Sequence, residues 1–310
     1  MRQLVYEISH TTTYDYADSV SVSHHLLRLA PRRTARQRCL SHELAIEPSP
    51  AVSSAHCDYF GNTTHFIGVE RPHTELVVKS RSRVAIGPTL VPEPTETPAW
   101  EGVRARCRDD HSGQALEAHE FIYASPLVPL GADFTDYAAP SFAKHRPILG
   151  AVRDLTRRIH ADFKFDPTAT TVTTPPQEVL KQRRGVCQDF AQFQIACLRS
   201  LGLPARYVSG YLETDPSPGQ TKLRGADASH AWVSFYCPGH GWIDVDPTNN
   251  CFPSLRHVTI GWGRDYSDVA PIKGVLVGGQ NQQSRVAVDV LACGPMDENG
   301  RLPEDGAGAV

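Results

Sequence analysis

Through the first 87 residues, apolar positions alternate with polar ones and do not recur at helical spacing. Val5 to His10, Leu40 to Ile46, Thr64 to Val69 and Glu75 to Ile86 are β-branched, alternating segments, separated by Pro, Asp-Ser or Gly-Asn turn signals. A small all-β, sandwich-like domain is predicted over residues 1–87. Between Gly87 and Ala99 lie Pro88, Pro92, Pro94 and Pro98. Neither a helix interior nor a central strand tolerates that density, because proline lacks an N–H and fixes φ. Residues 88–140 therefore read as a proline-rich linker with short helices, one over Gln114 to Tyr123 and another starting near Phe134 to Tyr137.

After Pro147 the period changes. Ile148, Val152, Leu155 and Ile159 recur at spacings of four, three and four, which predicts an amphipathic helix from Pro147 to His160. Thr168 to Thr174 reads as a loop or short strand, and Pro175-Pro176 opens a further helix through Gln182. From Arg183 to Pro204, Phe190, Phe193, Cys197 and Leu201 make one stripe while Ala191, Ile195 and Leu198 make another. A helix apolar around much of its circumference is a buried one, here closed by Gly202 and Pro204. Ala205 to Leu212, His230 to Tyr236 and Trp242 to Asp246 follow as strands, the last two joined by the turn sequence Cys237-Pro238-Gly239-His240-Gly241. His257 to Ile260 and Ser284 to Leu291 are expected to finish this sheet, and Gly294 to Val310 reads as a flexible polar tail. The fold class is α+β, with a second domain over residues 141–293.

Composition narrows the function. With 310 residues, 40% hydrophobic and 21% charged, the chain is neither disordered nor fibrous. A net charge of −3 argues against nucleic acid as a partner. No stretch approaches the length of a membrane span and the N-terminus has no apolar signal core, so a non-exported, cytoplasmic protein without membrane contact is expected. The eight cysteines form no C-x-x-C pair, and the one close Cys/His approach, Cys237 to His240, has no second pair at zinc spacing. Neither a disulfide framework nor a structural metal explains them, and no phosphate-cradling glycine loop or calcium loop is present. No cofactor or metal is expected, and attention turns to which thiol does chemistry.

Cys187 follows Gly185 at the first turn of the buried helix, where unpaired N–H groups and the helix dipole favour negative charge on a nucleophilic sulfur. Such a thiol needs an imidazole to take its proton, and the imidazole needs a carboxylate or amide to orient it. His230 lies nine residues before Gly239 and Asp246 seven residues after it, nearly opposite in an antiparallel pair and able to project from one face. Asp244 shares that parity but falls opposite residue 234, so it is the less favoured partner. The set predicted is Cys187 as nucleophile, His230 as base and acid, and Asp246 as orienting carboxylate.

Three motifs then carry a resemblance: Gly185-Val186-Cys187-Gln188-Asp189-Phe190-Ala191, Ser229-His230-Ala231-Trp232-Val233, and Gly241-Trp242-Ile243-Asp244-Val245-Asp246-Pro247-Thr248. In order and spacing they resemble the transglutaminase-like core, a superfamily with a papain-like Cys-His-Asp arrangement. Asp58-Tyr59-Phe60-Gly61-Asn62 resembles a hallmark of the β-rich N-terminal domain of bacterial members, and Gly263 to Pro271 resembles their tail. The resemblance implies acyl transfer or hydrolysis on a peptide or protein amide through a thioester, with Cys187, His230 and Asp246 in those roles and a peptide-ligating enzyme as a partner. Animal transglutaminases need calcium, but nothing in this sequence requires it. One oxyanion donor would be the Cys187 N–H. Gln182 and Gln188 are candidates by residue type for the second, although a glutamine near a helix end is more often solvated. Trp232, Trp242 and Tyr266 are candidates to wall the site, Asp189 reads as a helix-start acid, and Arg28, Arg32, Arg33, Arg36 and Arg38 form a basic run that is either a solvated loop or a contact for an acidic partner. A catalytically silent binding module on the same fold, holding a protein or peptide partner, is the alternative.

Overall fold

The first strand decides the architecture. In the computed structural model, which describes residues 3–110, 113–214 and 227–296, β1 (Leu4–Leu27) is one 24-residue strand. The other N-terminal strands are β2 (Gln37–Glu47), β3 (Val52–Cys57), β4 (Thr63–Val69) and β5 (His73–Ile86). Pairing shifts register between Asp15 and Val20, so β1 has two halves with different neighbours. Its first half pairs with β5 and its second with β4, giving the order β2-β5-β1-β4-β3.

Helices fill the next stretch: α1 (Trp100–Asp109), α2 (Gly113–His119), α3 (Ala132–Ala138) and α4 (Ile148–Asp162). The periodicity does not single out α1, because it is mostly charged and buries only Val103 and Cys107. Then come β6 (Lys164–Phe165), α5 (Pro176–Gln182), β7 (Arg184–Gly185) and α6 (Cys187–Ser200). Both apolar stripes of α6 are buried, and its end closes with Gly202 N–H on the Arg199 carbonyl and Leu203 N–H on that of Leu198. β8 (Ala205–Leu212), β9 (Ala228–Cys237), β10 (Gly241–Val245) and β11 (His257–Gly263) form an antiparallel sheet in the order β10-β9-β8-β11, with α6 packed against β8 and β9. α7 (Tyr266–Val269) is a single turn capped by Asp265.

The last two strands correct the expectation that Ser284 to Leu291 finish the core sheet. β12 (Ile272–Gly278) and β13 (Gln283–Pro295) return to β1 and pair with its second and first halves respectively. β13 also carries regular structure through Pro295, where a flexible tail is predicted from Gly294. The rest of that tail, from residue 297, lies outside the described residues.

Three apolar clusters result. One surrounds α6, one lies within the second half of the N-terminal sheet, and a third joins Tyr6, Ile8, Val84 and Ile86 to Tyr211, Val258 and Ile260 across the two sheets. The joint is also polar. Asn62 accepts from Arg32 Nη1 (2.7 Å) and from the Trp262 N–H (3.0 Å), and donates to the Trp262 carbonyl (2.8 Å) and to Asp58 (3.1 Å). Gly261 must be glycine for this, since a Cβ there would sit 2.7 Å from Asn62 Oδ1. Three of the five arginines read as a basic run also serve the joint: Arg28 pairs with Asp58, Arg32 stacks on Trp262, and Arg36 donates to the carbonyls of Ser254 and His257. They are internal ties, whereas Arg33 and Arg38 are exposed. No described helix is long and apolar enough to cross a membrane.

Candidate active site

Cys187 is the first residue of α6 and is half-buried. Val186 has no side-chain acceptor to cap the helix, and Asp189 supplies the local order: its Oδ2 accepts from the Val186 N–H (2.7 Å) and the Thr170 hydroxyl (2.6 Å). This buried acid holds the segment leading into Cys187, as its position in the first turn predicts. Gly185 makes room for it, because a Cβ there would lie 2.5 Å from Asp189 Oδ2. Burial raises the Asp189 carboxyl, against the pull of its two hydrogen bonds.

His230 enters from β9, buried, and Asp246 follows directly on β10 with its side chain fully buried. His230 Nε2 donates to Asp246 Oδ2 at 2.7 Å, which leaves Nδ1 as the nitrogen free for a second partner, and Cys187 acts on the same imidazole as a neighbour that favours its charged form. Asp244 pairs with Ser234, as the hairpin count predicts, and accepts instead from the Trp232 indole at 3.1 Å.

Asp246 is tied from every side. Oδ1 accepts from the N–H groups of Thr248 (2.9 Å) and Asn249 (3.1 Å), while Oδ2 accepts from Asn249 Nδ2 (2.7 Å), His230 and His257 Nε2 (3.2 Å). His257 Nδ1 accepts from the Ser254 N–H, so Nε2 carries the proton and the ring is neutral. Burial lowers His257 further, although Asp246 pulls the other way. Burial also opposes charge on His230, but the hydrogen bonds and charges of Asp246 and Cys187 outweigh it and raise the imidazole to about 10. Asp246, despite burial, is held well below the usual carboxylate range by His230, His257 and Asn249. The donor atoms of His230, Asp246 and His257 lie within 4.8 Å of one another, a spacing that hydrogen bonds to one shared oxygen account for.

The accessory candidates separate. Trp232 is fully buried, with His257 edge-on at 5.4 Å and His230 tilted over it at 6.1 Å, so it supports the imidazoles from beneath and walls no cleft. Gln188 donates one amide N–H to the Val172 carbonyl (3.0 Å), and Gln182 donates one to Glu178 (2.7 Å). Trp242 packs on Phe121, Tyr236 and Arg206 and lines two cavities at the joint between the sheets. Tyr266 stacks edge-on at 6.3 Å against Tyr207, whose phenol is raised well above its ordinary value by burial and then by Cys187 and Tyr266. Tyr207, Asn249 and His257 are the site residues that sequence reasoning missed. Asn249, three residues past Asp246, was findable as a turn residue, but His257 and Tyr207 carry no local signal.

Residues 6–85 match the model of the bacterial transglutaminase-like N-terminal region, and residues 135–247 match that of the transglutaminase-like superfamily. An uncharacterized protein of Mycobacterium tuberculosis is 40% identical over 294 residues, covering 92% of each chain. A protein-glutamine gamma-glutamyltransferase of Pseudomonas aeruginosa is 31% identical over 129 residues, 40% of this chain and 19% of that one. In fold, the chain resembles the crystal structure of "a Putative Cysteine Protease from Cytophaga hutchinsonii", with a TM-score of 0.76 at 21% identity over 94% of this chain and 91% of the other. A strand-rich N-terminal sheet, a helix-borne cysteine facing a strand-borne histidine, and two matched family models agree: this chain belongs to the transglutaminase-like superfamily, in the branch with the bacterial N-terminal region.

Proposed function

We propose that this chain is a cysteine-dependent enzyme acting on a peptide or protein amide. The observation that carries the reading is His230 bonded through Nε2 to the buried Asp246, with Cys187 the other neighbour that raises its pKa. With His230 held as the imidazolium, the thiol proton already sits on its Nδ1, and Cys187 attacks the amide carbonyl as the thiolate. The oxyanion meets the backbone N–H of Cys187 at the start of α6. His230 then gives its proton to the departing nitrogen, the C–N bond breaks, and a thioester remains on Cys187. Water or a primary amine, deprotonated by His230, attacks that thioester, and the C–S bond breaks to restore the thiolate.

Glutamine-containing peptides incubated with the protein, with and without a labelled primary amine, test the reading. Ammonia or cleavage products are expected from wild type and none from Cys187→Ala. Incorporation of label would assign transfer, and products without incorporation would assign hydrolysis. Products that persist in Cys187→Ala, or uniform slow alkylation of all the thiols by iodoacetamide, would overturn the nucleophile.

A further inference from the structure

Arg206, on β8, is a buried cation in no ion pair among the described residues, with Asp244 and Glu117 acting on it only through their charge and Arg32 opposing them. The residue is only 8% exposed, its Nε is buried without a hydrogen-bond partner, and no carboxylate among the described residues forms an ion pair with it. The guanidinium instead lies between two rings, 4.1 Å from the centroid of Trp242 and 3.7 Å from that of Trp262. Burial lowers its pKa to about 9, partly offset by the charge of Asp244, so it stays protonated at neutral pH. A buried, unpaired cation is costly unless an anion completes it.

Arg206 lines two cavities at the joint between the sheets. The one of about 790 Å³ also presents Glu117 and Glu120, which repel an anion. The one of about 610 Å³ presents Arg36 and Asp244 with apolar walls from Leu90, Ile243, Trp242 and Trp262. Arg36 holds two backbone carbonyls and Asp244 accepts from the Trp232 indole, so this wall sets two guanidinium groups against one carboxylate and carries a net positive charge. The Arg206 guanidinium, fixed between two aromatic faces beside apolar walls, presents a planar fork that matches a carboxylate on an apolar body. The volume is that of a small-molecule site.

We propose that this cavity binds an organic carboxylate, with the carboxyl group on Arg206 and the apolar body against Trp242, Trp262 and Leu90. The site is separate from Cys187 and does not depend on its chemistry.

Calorimetric titration of the full chain tests it, in a Cys187→Ala background so that no probe is turned over. N-acetyl-L-leucine should bind saturably, and its neutral amide about tenfold more weakly, the scale of a charge-assisted pair. Arg206→Gln should weaken the carboxylate by about the same factor. Should that variant fail to fold, Leu90, 79% exposed on the cavity wall, decides by sign: Leu90→Glu weakens binding and Leu90→Lys strengthens it. No saturable binding, equal affinity for acid and amide, indifference to both Leu90 variants, or binding of inorganic phosphate in preference to the carboxylate would each overturn the proposal.

Discussion

Five hydrogen bonds converge on Asp246, and they fix more than a carboxylate. With Nε2 of His230 committed to Oδ2, Nδ1 is the nitrogen left free for a second partner. Asp246→Asn should therefore lower the His230 pKa from about 10, because Cys187 alone then opposes burial. Ring-proton NMR across pH reads this directly, and a value still near 10 would mean that Asp246 does not hold the charge. The raised imidazole also gives a sign for stability: its contribution is complete below pH 6.5 and is lost as pH climbs through about 10. The depressed Asp246 contributes above the usual carboxylate range and loses that as pH falls through its own native pKa. Denaturant unfolding from pH 6.5 to 10 should accordingly show a falling stability in wild type and a flatter profile in His230→Gln. Cys187, His230 and Asp246 were legible as residue types whose chemistry needs one another. His257 was not, because its link to Asp246 exists only once β11 pairs with β8.

At the scale of elements, α6 does two jobs: it is the centre of the core, and its first residue is Cys187, the proposed nucleophile. Phe193, fully buried against Phe134, Tyr137 and Phe163, should cost about 3–5 kcal/mol on truncation to alanine, measured by urea unfolding. The entry to the helix tests differently. Gly185→Ala collides with Asp189, so its cost should shrink in an Asp189→Ala background, and a double-mutant cycle that adds without coupling would contradict the contact. The helix was legible because both its stripes are apolar over three turns. Only the first residues of β1 were, since its middle reads Thr-Thr-Thr-Tyr-Asp-Tyr-Ala-Asp and buries polar His10 and Thr12 through a network with Tyr211 that no local pattern announces.

For the whole molecule, the N-terminal sheet is completed by the C-terminal strands. A chain ended after Pro271 loses both β12 and β13 and exposes the full length of one side of β1, an unpaired edge that should aggregate. Recovery of a soluble monomer with the wild-type circular dichroism per residue would contradict that dependence. The sequence by itself determined the chemistry-bearing trio, the buried helix, the hairpin that brings His230 and Asp246 together, and the strand-rich beginning, because each is written in spacings of a few residues that local geometry converts into a face or a turn. Only the tertiary structure decided that the chain's last strands close its first sheet, that His257 and Tyr207 join the site, and that the basic run and the Asp58 to Asn62 loop clamp the two sheets together. Those depend on partners up to about 290 residues away, Leu4 against Pro295 among them, and long-range pairing follows from the packing of whole sheets, which no short window of sequence contains.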